Sequence, residues 1–258
     1  MHIVVLIKEV PDTYGDRRIS LETGLVDREG SERVADEIGE RAVEVGLTLQ
    51  AANEGSTVTV ICMGPASAET AVRKALAMGA DSAVLISDDG LVGADLTLTA
   101  EVLAAALLRE SPDLVLTGNV STDGGGGVLG AMLAEHLELP HLTNLSAIEI
   151  AGDVVSGTRM TENGTVRLAA ELPAVASITD ALPDPRFPAF KGIMAAKKKP
   201  LTRLDAEELG ADTDGARAPR AIVISAAARP PRAAGITITD DGEGGRRLAE
   251  YLIAEKLV

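Results

Sequence analysis

Four consecutive glycines, Gly124, Gly125, Gly126 and Gly127, follow Asn119, Val120, Ser121, Thr122 and Asp123 in the stretch PDLVLTGNVSTDGGGGVLGAMLAEHLELP. These residue types suit an anion. Glycine lets a backbone N–H approach a phosphate with no Cβ in the way, and the positive end of a following helix favours negative charge there. Asn119, Ser121, Thr122 and Asp123 add side-chain donors and acceptors, enough for a ribose or an adenine edge beside the phosphate. Gly125, Gly127 and Gly130 spell G-x-G-x-x-G, yet the glycines begin six residues after Gly118 and in mid-chain, unlike the dinucleotide fingerprint of a first strand-to-helix turn. G-x-x-x-x-G-K-[ST] is absent, which speaks against a nucleoside-triphosphate hydrolase. From these residues alone two readings stand: a phosphate cradle, or a flexible glycine turn that holds nothing.

A second constellation lies at RFPAFKGIMAAKKKPLTR, residues 186–203, which hold both phenylalanines and six of the 24 cations, and no acid. In a chain of net charge −15 this is a local inversion. Phe187 and Phe190, stiffened by prolines and flanked by cations, have the make-up of a binding anchor. The alternative is that both rings fold back into a small core and residues 197–199 form a solvated lysine run. Catalytic groups are scarce. His2, His136 and His141 are scattered without metal-ligand spacing, there is no G-x-S-x-G elbow, and Cys62 sits alone in the strand-like TVTVICMG. A nucleotide cradle without catalytic or metal-ligating residues fits a carrier or binding protein better than a hydrolase.

The elements that must position these residues are legible as a rhythm. Apolar runs at 2–7, 57–63, 82–86 and 114–117 alternate with helical patterns at 35–52, 66–78, 95–109 and 127–137. That order predicts a doubly wound, mainly parallel α/β sheet of Rossmann-like, adenine-nucleotide-binding layout. The loop KEVPDT leaves the first strand at its carboxyl edge, where open sheets place ligands. Residues 20–29 carry a weak hairpin signal. Segments 147–150, 154–160 and 166–171, separated by Gly-Asp and Asn-Gly, predict an antiparallel meander at one edge, and 174–179 a further strand. Beyond it the texture changes: 205–220 reads as polar and irregular, 221–225 as a last strand, Arg229-Pro230-Pro231-Arg232 as an extended arm, and 244–256 as an amphipathic helix. The expected division is an α/β nucleotide-binding domain at 1–200, and a C-terminal arm and helix at 201–258 that pack on a partner subunit. The acidic balance repels nucleic acid and anionic membranes, and with no run of about 18 apolar residues a soluble, cytoplasmic protein is expected.

Five stretches together resemble the β subunit of electron-transfer flavoprotein: IVVLIKEVPDT, DEIGERAVE, KALAMGAD at 74–81, LTGNVSTDGGGG, and DPRFPAFKGIMAAKKK at 184–199. The resemblance covers nearly the whole length, and its last two motifs are the most specific. It implies a heterodimer with an α subunit, one FAD held mainly by α, and one AMP buried within β. The implied AMP site comprises Leu6, the turn of Asp36, Glu37, Ile38 and Gly39, Met63, and the loop of Gly118, Asn119, Val120, Ser121, Thr122, Asp123, Gly124, Gly125, Gly126, Gly127, Val128 and Leu129. Thr13 and Ile38 fall near the flavin ring. The aromatic stretch corresponds to the loop that docks acyl-CoA and related dehydrogenases of fatty-acid oxidation, through Arg186, Phe187, Phe190, Ile193 and Met194, with Phe190 at the apolar anchor. Electrons then pass to a membrane quinone oxidoreductase, and no residue of β breaks bonds. Two alternatives stand beside this: a bifurcating type with a second FAD in the AMP pocket, and a free-standing adenine-nucleotide sensor similar to universal stress proteins.

Overall fold

A strand that is apolar at every interior position must be covered on both sides, and HIVVLI is such a strand. In the computed structural model, which describes residues 1–211, 221–232 and 235–258, Ile3, Val5 and Ile7 enter one hydrophobic core, and Val4 and Leu6 enter another. The elements run β1 (His2–Ile7), β2 (Glu9–Pro11), β3 (Arg33–Ala35), α1 (Glu37–Ala52), β4 (Thr57–Met63), α2 (Glu69–Met78), β5 (Ser82–Ile86), α3 (Leu96–Glu110), β6 (Leu114–Gly118) and α4 (Leu129–Leu137). They continue through β7 (His141–Ala151), β8 (Val154–Thr161), β9 (Gly164–Glu171), β10 (Ala174–Ile178), α5 (Phe190–Ala196), β11 (Leu201–Leu204) and α6 (Gly244–Ala254).

Nine strands form one sheet in the order β11-β5-β4-β1-β6-β10-β7-β8-β9, parallel from β11 to β7 and antiparallel across β7, β8 and β9. The expected α/β class is therefore observed, edge meander included. α1 and α2 cover one face of the sheet; α3 and α4 cover the other. The chain leaves β1 toward β4 and β5 and then crosses back to β6 on the other side of β1, which puts the topological switch point at the carboxyl end of β1. α1 forms where the sequence predicts it: Ile38, Ala42, Val45 and Leu49 are buried on one stripe, and the Asp36 carboxylate accepts from the Ile38 N–H as N-cap.

The structure differs from the sequence-based expectation at several elements. Leu201–Leu204, expected within the C-terminal arm, lie parallel beside β5, and the bracketing bonds Ala83 N–H to Pro200 O and Ser87 N–H to Leu204 O are both 3.0 Å. Thr202 and Arg203 are exposed, so pairing with a free edge makes this strand, not a local apolar pattern. The strand expected at 147–150 begins at His141, because its first half pairs in parallel with β10 before the second half turns to β8. The helix expected from 127 begins at Leu129, because Gly127 keeps a positive φ of 68°. Residues 20–29 give only a single bridge, Ile19 to Val26, and 221–225 form no strand. The short antiparallel ribbon of β2 and β3 carries no sequence pattern of its own.

The described chain divides into two compact units, Met1–Ser225 and Ala226–Val258. In the second unit, 226–232 and 235–243 form no helix or strand, and α6 follows with Leu248 and Ile253 exposed on it and Leu257 exposed beyond its end. Of the segment expected to be irregular, 206–210 form a turn, and 212–220 lie outside the described residues. No helix among the described residues is long and apolar enough to cross a membrane.

Candidate functional site

At the switch point the ends of β1, β4 and β6 open into a cavity of about 990 Å³, at the upper end of the range of about 300–1,000 Å³ common for small-molecule sites. Leu6, Asp36, Gly39 and Met63 line it, as do Gly118, Asn119, Val120, Ser121, Asp123, Gly124, Gly126, Gly127 and Leu129. Five of the residues grouped by sequence stand outside the lining. Glu37 is exposed in the first turn of α1, Ile38 is buried with a methyl against Gly118, Thr122 is turned to Asp36, and Gly125 and Val128 face outward. Gly118 is required by this packing, since a Cβ there would stand 2.9 Å from Ile38 Cγ2. Gly125 and Gly127 adopt φ of 62° and 68°, the left-handed region that glycine enters without strain.

Two aspartates shape the glycine loop. Asp36 is almost fully buried; one oxygen caps α1, and the other accepts from Thr122 N–H at 2.7 Å and Thr122 Oγ1 at 2.8 Å. A single carboxylate thus ties the start of α1 to the loop 86 residues later. Asp123 accepts from Lys8 Nζ at 2.7 Å and from the Gly124 N–H at 2.6 Å, with Arg28 Nη2 3.6 Å from its other oxygen. Burial works against its charge, but the Lys8 ammonium, the Ser121 hydroxyl and the Gly124 amide outweigh that and hold its carboxyl below the usual carboxylate range.

The acid nearest the glycines is therefore already neutralised by its partners. α1 and α3 have aspartate caps, whereas α4 begins with no side-chain cap and no acid in its first turn. Its first amides and the glycine backbone are thus suited to an external anion.

Sequence reasoning missed about two thirds of the lining of this cavity. Its other wall comes from Asp88, Leu91, Leu96 and Leu103, after β5 and along α3, and its basic side from Lys8 and Arg28. Lys8 had a usable signal, being the first residue past the carboxyl end of a central strand; Arg28 had none. Thr13 and Ile38, grouped near a flavin, lie beyond opposite ends of the β2 and β3 ribbon, Thr13 exposed and Ile38 buried. Burial pushes the Cys62 thiol up to about 12, where it is a small core residue and not a nucleophile. Among the described residues no group of three or more His, Cys, Asp and Glu is placed to hold a metal ion.

The second constellation does not fold into a core. Phe187 is 97% and Phe190 78% exposed, with Ile193 and Met194 about half exposed beside them. Arg186 instead lies across α1: its N–H, Nε and Nη2 donate to the Glu44 carboxylate at 2.9, 2.7 and 2.8 Å. Arg41 of α1 grips the same segment at Leu182 O and Asp184. The result is an aromatic ledge clamped to the outer side of α1.

The clamp carries a pH signature. Burial opposes the Glu44 charge, yet the Arg186 hydrogen bonds win and hold its carboxyl below 4.5. A carboxyl depressed on folding stabilises fully above its unfolded value and loses that stabilisation as pH falls through the folded one. We expect the stability gap between the natural protein and Glu44→Gln to be constant from pH 7 to about 5 and to narrow progressively as pH falls below 4.5. Urea denaturation at stepped pH measures it; a gap that keeps its neutral-pH size throughout the acid range contradicts the assignment.

The fold and the cavity define a Rossmann-like α/β protein with a ligand-sized, anion-suited opening at its switch point. Comparison with known proteins narrows this. The family model for the electron transfer flavoprotein domain matches residues 23–209. The electron transfer flavoprotein subunit beta of Mycobacterium bovis is 46% identical over 265 residues, covering 100% of this chain and 99% of its own. The protein of the same description from Mycobacterium leprae is 46% identical over 264 residues with the same coverage, and that from Bacillus subtilis 34% over 260 residues, covering 100% of both chains. This chain belongs to the electron transfer flavoprotein β-subunit family, whose role is electron transfer with a flavin and whose β designation implies an α partner.

Proposed function

We propose that this chain is the β half of a cytoplasmic electron carrier. It holds AMP in the switch-point cavity and presents the Phe187 and Phe190 ledge to acyl-CoA and related dehydrogenases. The α subunit holds most of the FAD, and a membrane quinone oxidoreductase takes the electrons. The observation that carries the nucleotide reading is the uncapped, acid-free start of α4 beside Gly124–Gly127, facing a cavity in which Asp123, the carboxylate adjoining the glycines, is neutralised by Lys8. Those amides would receive a phosphate. Asn119 and Ser121 would reach a ribose or adenine edge, and Leu6, Met63 and Leu129 supply the apolar wall. Bound flavin would supply the redox chemistry, taking electrons from one partner and giving them to the next. The residues of this chain do the rest: they bind, orient and dock. The full-length likeness to β subunits favours the carrier over a free-standing nucleotide sensor.

A second reading, a further FAD in the same cavity, is favoured by the cavity's volume and by Arg28 on its basic side, where a pyrophosphate would find a cation. One experiment separates the two. The α and β chains are co-expressed, the purified complex is denatured, and the released nucleotides are counted. We expect one FAD and one AMP per heterodimer. Two FAD would replace AMP with the second reading, and no adenylate beyond one FAD would remove the nucleotide role of this cavity.

A further inference from the structure

α5 has seven residues, too few to hold a helix by its own hydrogen bonds in water, and its N-cap Ala189 offers no side-chain bond. It nevertheless carries Phe190, Ile193 and Met194 outward on one face, at i, i+3 and i+4. Something behind it must keep it in shape. Its inner face is Gly192 and Ala196, and it lies so close to α2 that a Cβ on Gly192 would stand 2.4 Å from Ala77 O. Arg73 of α2 donates to Ala196 O at 2.8 Å.

Beyond α5 the third lysine of the run turns back into the protein. Lys199 Nζ donates to Leu76 O at 3.0 Å, Gly79 O at 3.0 Å and Ala80 O at 2.6 Å. α2 has no basic residue in its last turn, so this ammonium, arriving from 119 or more residues away, completes its carboxyl end. All three ammonium hydrogens have an acceptor. Lys199 therefore differs from Lys197 and Lys198, which are exposed. It ties the chain leaving α5 to the helix against which α5 rests.

We propose that Lys199 is a positioning residue for partner recognition: by closing the end of α2 it holds α5, and with it the apolar ledge, in the geometry a dehydrogenase meets. The inference rests on the docking role proposed above. Lys199 itself touches no partner. What it supplies is pre-organisation, so that docking need not first order a seven-residue helix.

The test uses the complete α and β heterodimer and an acyl-CoA dehydrogenase as electron donor. Lys199→Met keeps the aliphatic stem and removes the donors. We expect its KM for the carrier to rise about tenfold, the factor that 1.4 kcal/mol corresponds to, and to rise more than kcat falls. Amide exchange in 190–196 should quicken, while exchange in β1, β4 and β6 and the nucleotide content stay as they were. Gly192→Ala, which pushes α5 off Ala77 by another route, should reproduce the effect. In a Phe190→Ala background Lys199→Met should add little, because the two act on one ledge.

Unchanged exchange in α5, or a KM effect that adds in full to that of Phe190→Ala, overturns the positioning role. If Phe190→Ala raises KM and Lys199→Met does not, docking stands and this inference falls. If Lys199→Met loosens α5 while neither variant alters KM, the docking reading falls and the structural tie stands.

Discussion

Asp36→Ala should lower folding stability by about 2–4 kcal/mol and empty the cavity of the nucleotide proposed for it. Losing an aspartate N-cap costs about 0.5–2 kcal/mol, and leaving buried donors without an acceptor about 1–3 kcal/mol. Both losses fall on one side chain here. Its first oxygen serves the amide of Ile38, and its second serves the amide and hydroxyl of Thr122. Once the loop is freed from α1, the glycines no longer face the cavity in a fixed geometry. The conservative control is Asp36→Asn, which keeps a capping oxygen and should keep part of the stability, because asparagine caps about as well as aspartate. Urea denaturation and nucleotide content after dialysis measure the two effects. A loss below about 1 kcal/mol with the nucleotide retained would mean that something other than Asp36 holds the loop.

Phe190→Ala should do the reverse: spare the fold and impair the encounter. With 78% of the side chain already in water, truncation removes little burial, and the stability change should stay within about 0.5 kcal/mol. An apolar anchor at the centre of an interface costs about 2 kcal/mol or more when truncated, or about 30-fold in the KM for the dehydrogenase. Heterodimer yield and nucleotide content should match the natural protein. Equal KM values for the two proteins would remove the ledge from recognition and leave its exposure to be explained by another contact.

Much of this architecture was legible in the chain because its strands are apolar at consecutive positions. Thr57–Met63 and Ser82–Ile86 were bounded to the residue, since a strand buried on both faces ends abruptly at Gly64 or at a polar loop. The helix expected at 35–52 was legible from its stripe of Ile38, Ala42 and Val45, though it begins at Glu37 because Asp36 serves as its cap. Legibility failed at edges. Leu201–Leu204 and the ribbon of β2 and β3 exist through partners distant in sequence, and their residues would be at home in a loop. The same holds for α5, whose helical state depends on a glycine and an alanine meeting α2.

Composition, apolar periodicity and the glycine run thus determine, without any coordinates, a parallel α/β sheet with a glycine-rich turn after one of its strands, and they mark an aromatic, basic segment as unlike its surroundings. Local sequence carries that information because backbone freedom and alternating burial are properties of neighbouring residues. Only the tertiary structure decided that Lys8 neutralises Asp123, that Asp36 fastens a loop far along the chain, and that Lys199 turns inward while Phe187 and Phe190 stay in water. Those outcomes depend on which charges and rings meet across long loops, and nothing in a residue's near neighbours specifies a partner about a hundred positions away.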